Sequence, residues 1–93
     1  MRGFINMIKN EDKISLTVRS FIPPQESLEG YELGRPFKME LPRGITVGGL
    51  AQRILGKNIN QLGISAVNGQ LAKENQILAG EDKIDFFAMI EGG

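Results

Sequence analysis

The chain has 93 residues, with eleven basic and eleven acidic side chains and neither cysteine nor histidine. This length supports one small domain of marginal stability, roughly 5–14 kcal/mol by per-residue scaling. The composition excludes disulfides, thiolate metal sites and histidine-based catalysis, and the balanced charge favours neither nucleic acid nor an anionic membrane as partner.

Residues 1–13 are predicted to be an extension ahead of the domain. They contain no apolar run of signal-peptide length and no small-residue cleavage site. No segment of the chain approaches the length needed to span a bilayer, so we expect a cytoplasmic protein. The extension either adds an edge strand or is disordered, and its apolar side chains permit both: Phe4, Ile5, Met7 and Ile8.

Residues 14–90 are predicted to form the domain, which begins with two antiparallel strands. Apolar and polar residues alternate in residues 14–22 and again in residues 37–41, as in half-buried strands. The polar segment 23–35, which begins with two prolines and contains two glycines, is a loop. The inward positions of the two strands are Ile14, Leu16, Val18, Phe37, Met39 and Leu41.

A helix is predicted between the N-cap Thr46 and Gly56. Gly48 and Gly49 in its first turn each cost up to about 1 kcal/mol relative to alanine, so we attribute them to a close approach of helix to sheet. A phosphate-binding loop is disfavoured because the lysine and hydroxyl of a P-loop do not follow. The apolar positions have the helical spacing i, i+3, i+4, i+7 and i+8: Val47, Leu50, Ala51, Ile54 and Leu55.

Three further strands complete the pattern. Asn68-Gly69, a strong hairpin signal, joins residues 64–67 to residues 70–72. A turn at residues 80–82 precedes the last strand, in which Ile84 and Phe86 are predicted to be core. The order of elements predicts an α+β fold in which a mixed sheet of about five strands packs on one helix, the β-grasp arrangement of ubiquitin-like domains.

The outer face of the last strand combines Asp85 with two apolar side chains, Phe87 and Met89. Exposed apolar side chains of this kind often mark a contact surface. The alternative is that a loop or the N-terminal segment covers them.

Charge is also uneven near the end of the chain. Four acidic residues lie there with only one basic residue, Lys83, and this would suit a partner with a basic groove: Glu81, Asp82, Asp85 and Glu91.

Residues 91–93, Glu91-Gly92-Gly93, are predicted to be a flexible tail. Glycine lacks a Cβ, so two in succession can thread a narrow channel. The carboxylate of Gly93 could then be activated by ATP and attacked by a sulfur or nitrogen nucleophile. A frayed terminus is the alternative, because chain ends are commonly disordered.

These features resemble the ThiS/MoaD-type ubiquitin-like sulfur carriers, which include the thiamin-pathway carrier and the small subunit of molybdopterin synthase. The matching pieces, in order, cover about residues 14–93: the first strand to Phe21, residues 41–50 leading into the helix, residues 66–69, Phe86-Phe87, and Gly92-Gly93. No single piece is specific, but their order together with the Gly-Gly pair is.

The resemblance implies that a ubiquitin-activating-type adenylyltransferase uses ATP and magnesium to adenylate Gly93, which is then converted to a thiocarboxylate. Gly92 would thread the partner's channel. The surface that docks on the adenylyltransferase or on a sulfur-accepting synthase subunit would comprise Phe87, Met89, Ile90 and Glu91. The chain itself would bind no cofactor or metal, and bases and electrostatic stabilisation would come from the partner.

Three departures from the family pattern affect this comparison. The family often has a proline pair after the two phenylalanines, where this chain has Ala88-Met89, which suggests a less rigid tail. The usual Asp-Gly-Asp turn is Gly80-Glu81-Asp82 here, and the loop 23–35 is longer than in many small members.

Three functions remain open from the sequence. The first is a sulfur carrier for molybdopterin or thiamin-type cofactor biosynthesis. The second is a ubiquitin-like modifier joined to protein lysines through Gly93, and the third is a β-grasp interaction module whose Gly-Gly pair is incidental. A stand-alone enzyme is disfavoured because no pair of nucleophile and base is visible, although a carrier of this kind could count as the small subunit of a synthase.

Overall fold

The computed structural model describes residues 12–90. Almost all of the predicted extension 1–13, and the whole tail 91–93, therefore lie outside the described residues. In chain order the elements are β1 (Lys13–Ser20), β2 (Phe37–Pro42), α1 (Val47–Leu55), a 3-10 helix (Gly56–Gln61), β3 (Leu62–Val67), β4 (Gln70–Ala72) and β5 (Lys83–Ala88).

The strands form one five-stranded sheet in the order β2-β1-β5-β3-β4. The two strands β1 and β5, which are far apart in sequence, pair in parallel at its centre, and the other neighbours pair antiparallel. Asn68 and Gly69 take the positive φ angles of 53° and 84° that a two-residue hairpin turn needs. The predicted mixed sheet packed on one helix is confirmed.

The first strand ends at Ser20, two residues earlier than the alternation predicts. The hydroxyl of Ser20 donates to the carbonyl of Ile22 at 3.0 Å and accepts from the Ile22 N–H at 3.1 Å. The chain bends at Phe21 and Ile22, and Ile22 still lies in the core, where it is fully buried.

The core lies between α1 and one face of the sheet. The predicted helix positions are all buried, as are the inward residues of β1, while Phe37 and Met39 are partly buried against the same cluster. Thr46 caps the helix by accepting from the Gly49 N–H at 3.0 Å, and Gly56 ends it. The buried apolar cluster consists of Ile14, Leu16, Val18, Ile22, Leu41, Val47, Leu50, Ala51, Ile54, Leu55, Val67, Leu78, Ile84 and Phe86.

Gly48 approaches a loop, and a Cβ at Gly49 would meet only Thr46 and Ile45, so the predicted close approach of these glycines to the sheet was wrong. A Cβ at Gly48 would lie 3.1 Å from both the Cβ and the carbonyl oxygen of Glu74. The N–H groups of Gly48 and Val47 donate to the carbonyls of Glu74 and Gln76 at 2.8 and 2.9 Å. The segment after β4 thus satisfies helix donors that have no partner within the helix.

The loop between β1 and β2 is fastened to the end of α1. Gln25 donates its N–H to the carbonyl of Ile54 at 3.1 Å and accepts the Lys57 N–H on its side-chain oxygen at 2.9 Å. The amide of Asn58 donates to the carbonyl of Pro23 at 3.1 Å. The long loop is therefore an integrated part of the domain.

We expect Gly56→Ala to destabilise the fold by about 1–3 kcal/mol, because Gly56 has φ 52° and a Cβ there would overlap the side chain of Gln25. Urea unfolding measures this cost. Gly80→Ala is the matched control, since Gly80 has no positive φ and no atom lies within 4 Å of its added Cβ. Equal unfolding midpoints for the two variants would contradict the prediction.

Tyr31 anchors the same loop by donating its hydroxyl to the carbonyl of Ile22 at 2.6 Å. Burial raises the pKa of Tyr31, and a hydrogen bond with Ser20 opposes this in part. Because the folded state favours the neutral phenol, the resulting stabilisation is full below the unfolded pKa of about 10 and is lost as pH rises through the folded pKa.

We expect Tyr31→Phe to lower the free energy of unfolding by about 1 kcal/mol near neutral pH, through loss of this hydrogen bond. Above about pH 10, the difference between wild type and variant should shrink, because the wild type alone loses the phenol's contribution there. Urea unfolding across that range measures both effects. A difference that is independent of pH would contradict the role given to the Tyr31 phenol.

Candidate functional site

The face of the sheet that points away from α1 carries three adjacent apolar side chains. Ile64 of β3 lies opposite Phe87 of β5. Ser20 is the register partner of Phe86, and the next residue, Phe21, donates its N–H to the carbonyl of Phe86 at 3.0 Å. Phe21, Phe87 and Ile64 therefore lie side by side, and we call them the apolar row.

The rings of Phe21 and Phe87 stack, with centroids 5.4 Å apart and an interplanar angle of 12°. Phe21 is 41% exposed and Phe87 is 36% exposed, so the stacked pair still presents apolar surface to solvent. The predicted outward placement of Phe87 is confirmed. The ring of Phe21 covers part of the Phe87 ring, and over a third of Phe87 stays exposed.

Sequence reasoning missed Phe21 and Ile64 as members of this surface. The signal for Phe21 was present, because it continues the outward positions Ser15, Thr17 and Arg19 of β1. Ile64 is an exposed β3 residue whose neighbour on β5 is fixed by the strand register, which the sequence did not specify.

An ion pair lies next to the apolar row. Arg19 donates through Nε to a carboxylate oxygen of Asp85 at 2.9 Å, and its guanidinium carbon lies 5.4 Å from the centroid of the Phe21 ring. Asp82 accepts hydrogen bonds from the Asn68 side chain at 2.9 Å and the Ala79 N–H at 2.8 Å. Two of the carboxylates expected to face a basic partner are thus engaged within the domain.

The chain remains held for one residue after β5 ends at Ala88. The N–H of Met89 donates to the carbonyl of Gln61 at 2.7 Å. The side chains of Met89 and Ile90 are 56% and 89% exposed, in agreement with the predicted exposure of Met89. A backbone hydrogen bond therefore holds the chain at Met89, two residues before the predicted tail.

No protein-family model and no curated protein matches the chain. Solved structures do resemble it. Ubiquitin of Caldiarchaeum subterraneum superposes with a TM-score of 0.58 at 15% identity, covering 87% of this chain and 99% of its own. SAMP1 of Haloferax volcanii gives 0.55 at 18% identity, with 85% and 99% covered. The fold is the ubiquitin-like β-grasp. Identities this low establish the fold alone.

In this β-grasp domain, the apolar row flanks the point where the chain leaves the sheet. From Met89, four residues lead to Gly93, and their reach is at most roughly 13–14 Å when fully extended. A partner docked on the apolar row would therefore have the tail within reach of the partner's surface. Glu91, Gly92 and Gly93 lie outside the described residues, and their predicted roles remain predictions.

Within residues 12–90, no group of three or more acidic residues is arranged to hold a metal ion. In the same stretch, no helix is long and apolar enough to cross a membrane.

Proposed function

We propose that this chain is a ubiquitin-like sulfur carrier. A partner adenylyltransferase would activate Gly93, and the resulting thiocarboxylate would donate sulfur in molybdopterin or thiamin-type cofactor biosynthesis. The observation that carries the proposal is the exposed apolar row beside a fixed exit point at Met89, on a β-grasp domain whose next residues are Ile90, Glu91 and the Gly-Gly pair.

The chemistry proceeds in two steps. A carboxylate oxygen of Gly93 attacks the α-phosphorus of magnesium-bound ATP, and pyrophosphate leaves. In the simplest second step, hydrosulfide attacks the acyl carbon, AMP leaves with the oxygen that joined it to the acyl group, and one proton is released. Glycine suits the reacting position because no side chain obstructs either face of the acyl group.

The composition supports assigning the catalytic groups to the partner, and docking and delivery of the tail to this chain. The chain has no cysteine or histidine to serve as nucleophile or general base, so the partner supplies these groups and the ATP site. The β-grasp domain contributes docking area through Phe21, Phe87 and Ile64, and it delivers the tail. We therefore propose a carrier and not an enzyme in its own right, although it could count as the small subunit of a synthase.

A ubiquitin-like modifier is the second candidate, favoured by the structural likeness to a protein named as ubiquitin. Both functions begin with the same acyl-adenylate at Gly93. They diverge at the nucleophile, because a modifier is transferred to a lysine amine and leaves an amide bond. A plain interaction module would use the apolar row without activating Gly93.

ATP–pyrophosphate exchange tests the proposal. Fractions from the protein's own cells are supplied with the purified chain, ATP, magnesium and labelled pyrophosphate. We expect one fraction to incorporate label into ATP only when the chain is present. No chain-dependent exchange in any fraction would contradict the proposal, and cellular lysine residues that carry residues 84–93 of this chain after trypsin digestion would favour the modifier.

A further inference from the structure

Strand β3 contains a bulge beside the end of β5. Leu62 pairs with Ala88, while Ile64 pairs with Phe87, so β3 has one extra residue, Gly63, opposite two consecutive residues of β5. Bulges commonly bend a strand or end its pairing next to functional segments. This bulge lies where the chain leaves the sheet toward the tail.

Gly63 is required here by space and not by backbone conformation. Its φ angle is not among the positive values found in the described residues. A Cβ at Gly63 would lie 2.8 Å from the Cα of Met89 and 3.1 Å from its nitrogen. Both are backbone atoms, so no side-chain rotation could relieve the overlap, and the chain at Met89 would have to move.

The same residue is held from a second side, because the N–H of Met89 donates to the carbonyl of Gln61 at 2.7 Å. Gln61 is the last residue of the 3-10 helix, and Gly63 is the second residue of β3. Together they let the backbone of Met89 pass directly over β3 and fix it there.

We propose that Gly63 is a positioning residue for Gly93. By leaving room for Met89 against β3, it sets the point and direction from which the tail leaves the domain, and therefore the span that the tail must cover to bring the reacting carboxylate to the ATP of a docked partner. This inference rests on the proposed function. Activation requires the carboxylate to meet the α-phosphorus of ATP, and a misplacement of about 1 Å can cost about 100-fold in rate.

The test compares Gly63→Ala with the matched control Gly80→Ala, whose added Cβ meets no atom within 4 Å. Amide hydrogen exchange reports whether Met89 stays hydrogen-bonded. Steady-state adenylation, measured with the adenylyltransferase purified by its chain-dependent pyrophosphate exchange, reports the function.

For Gly63→Ala we expect the exchange protection of the Met89 amide to fall by about tenfold or more, and kcat to fall by about 10- to 100-fold. KM should stay within about twofold, because the apolar row is untouched. Gly80→Ala should match wild type in all three quantities. A structural role alone would lower the melting temperature without this separation of kcat from KM.

Unchanged Met89 protection in Gly63→Ala would overturn the proposal, and so would an unchanged kcat, with or without a rise in KM. If Gly63→Ala does not fold, Met89→Pro removes the same N–H donor without adding an atom at position 63, and wild-type kcat in that variant would overturn it. If no adenylyltransferase accepts the wild type, both the proposed function and the role of Gly63 in positioning Gly93 are wrong. The exchange protection of the Met89 amide would still show whether Gly63 holds the backbone of Met89 in place.

Discussion

Deleting Gly93 is expected to abolish adenylation of the chain while leaving its melting temperature unchanged. The deletion shortens the tail by one residue, about 3.5 Å, which leaves the terminal carboxylate short of the α-phosphorus of ATP. Stability should be retained because the buried cluster lies between Ile14 and Phe86. Pyrophosphate exchange and thermal unfolding measure the two quantities.

Gly80→Ala controls for the loss of a glycine elsewhere in the chain, and it should behave as wild type in both assays. Full exchange activity of the chain lacking Gly93 would place the reacting group elsewhere. A large fall in its melting temperature would instead make the tail a structural element of the domain.

Replacing the two neighbouring phenylalanines of β5 by alanine should affect different properties: Phe86→Ala the stability of the fold, and Phe87→Ala the KM of adenylation. Phe86 is fully buried, so Phe86→Ala is expected to cost about 3–5 kcal/mol, a large part of the roughly 5–14 kcal/mol available. Phe87 lies on the outer face with its ring against Phe21. Phe87→Ala should leave the fold near-native and raise the KM of adenylation by about tenfold, as loss of a docking contact does.

Urea unfolding measures the loss of stability in each variant, and adenylation kinetics measure the change in KM. Each variant is the matched control for the other, because the same group is removed from opposite faces of one strand. Wild-type KM in Phe87→Ala would contradict the role of the apolar row in docking. The expected KM effect also separates Phe87 from Gly63, whose substitution is expected to act on kcat.

The local parts of the fold could be predicted from the sequence. Alternation placed Ile14, Leu16 and Val18 inward because a strand has a side-chain period of two. The helix from Thr46 to Gly56 followed from one cap residue, one apolar stripe and one terminating glycine. In each case the deciding interactions lie within a few residues along the chain.

The features that could not be predicted from the sequence depend on contacts between segments that are distant along the chain. The Arg19–Asp85 pair joins residues 66 apart, and the stacking of Phe21 on Phe87 needs the parallel register of β1 with β5. Gly48 and Gly63 both serve close approaches, but the partner of each is a backbone segment elsewhere in the chain. A glycine in the sequence does not say whether a positive φ or a close approach requires it, or which segment approaches.

The most direct test of the proposed sulfur-carrier function is the intact mass of the chain isolated from its own cells. Isolation uses non-reducing conditions that preserve thiocarboxylates, alongside a chain lacking Gly93. We predict a mass increment that matches replacement of one oxygen by sulfur, present in the full chain and absent from the shortened one. If neither chain carries this increment in cells that are making the sulfur-containing cofactor, the result would contradict the proposed function.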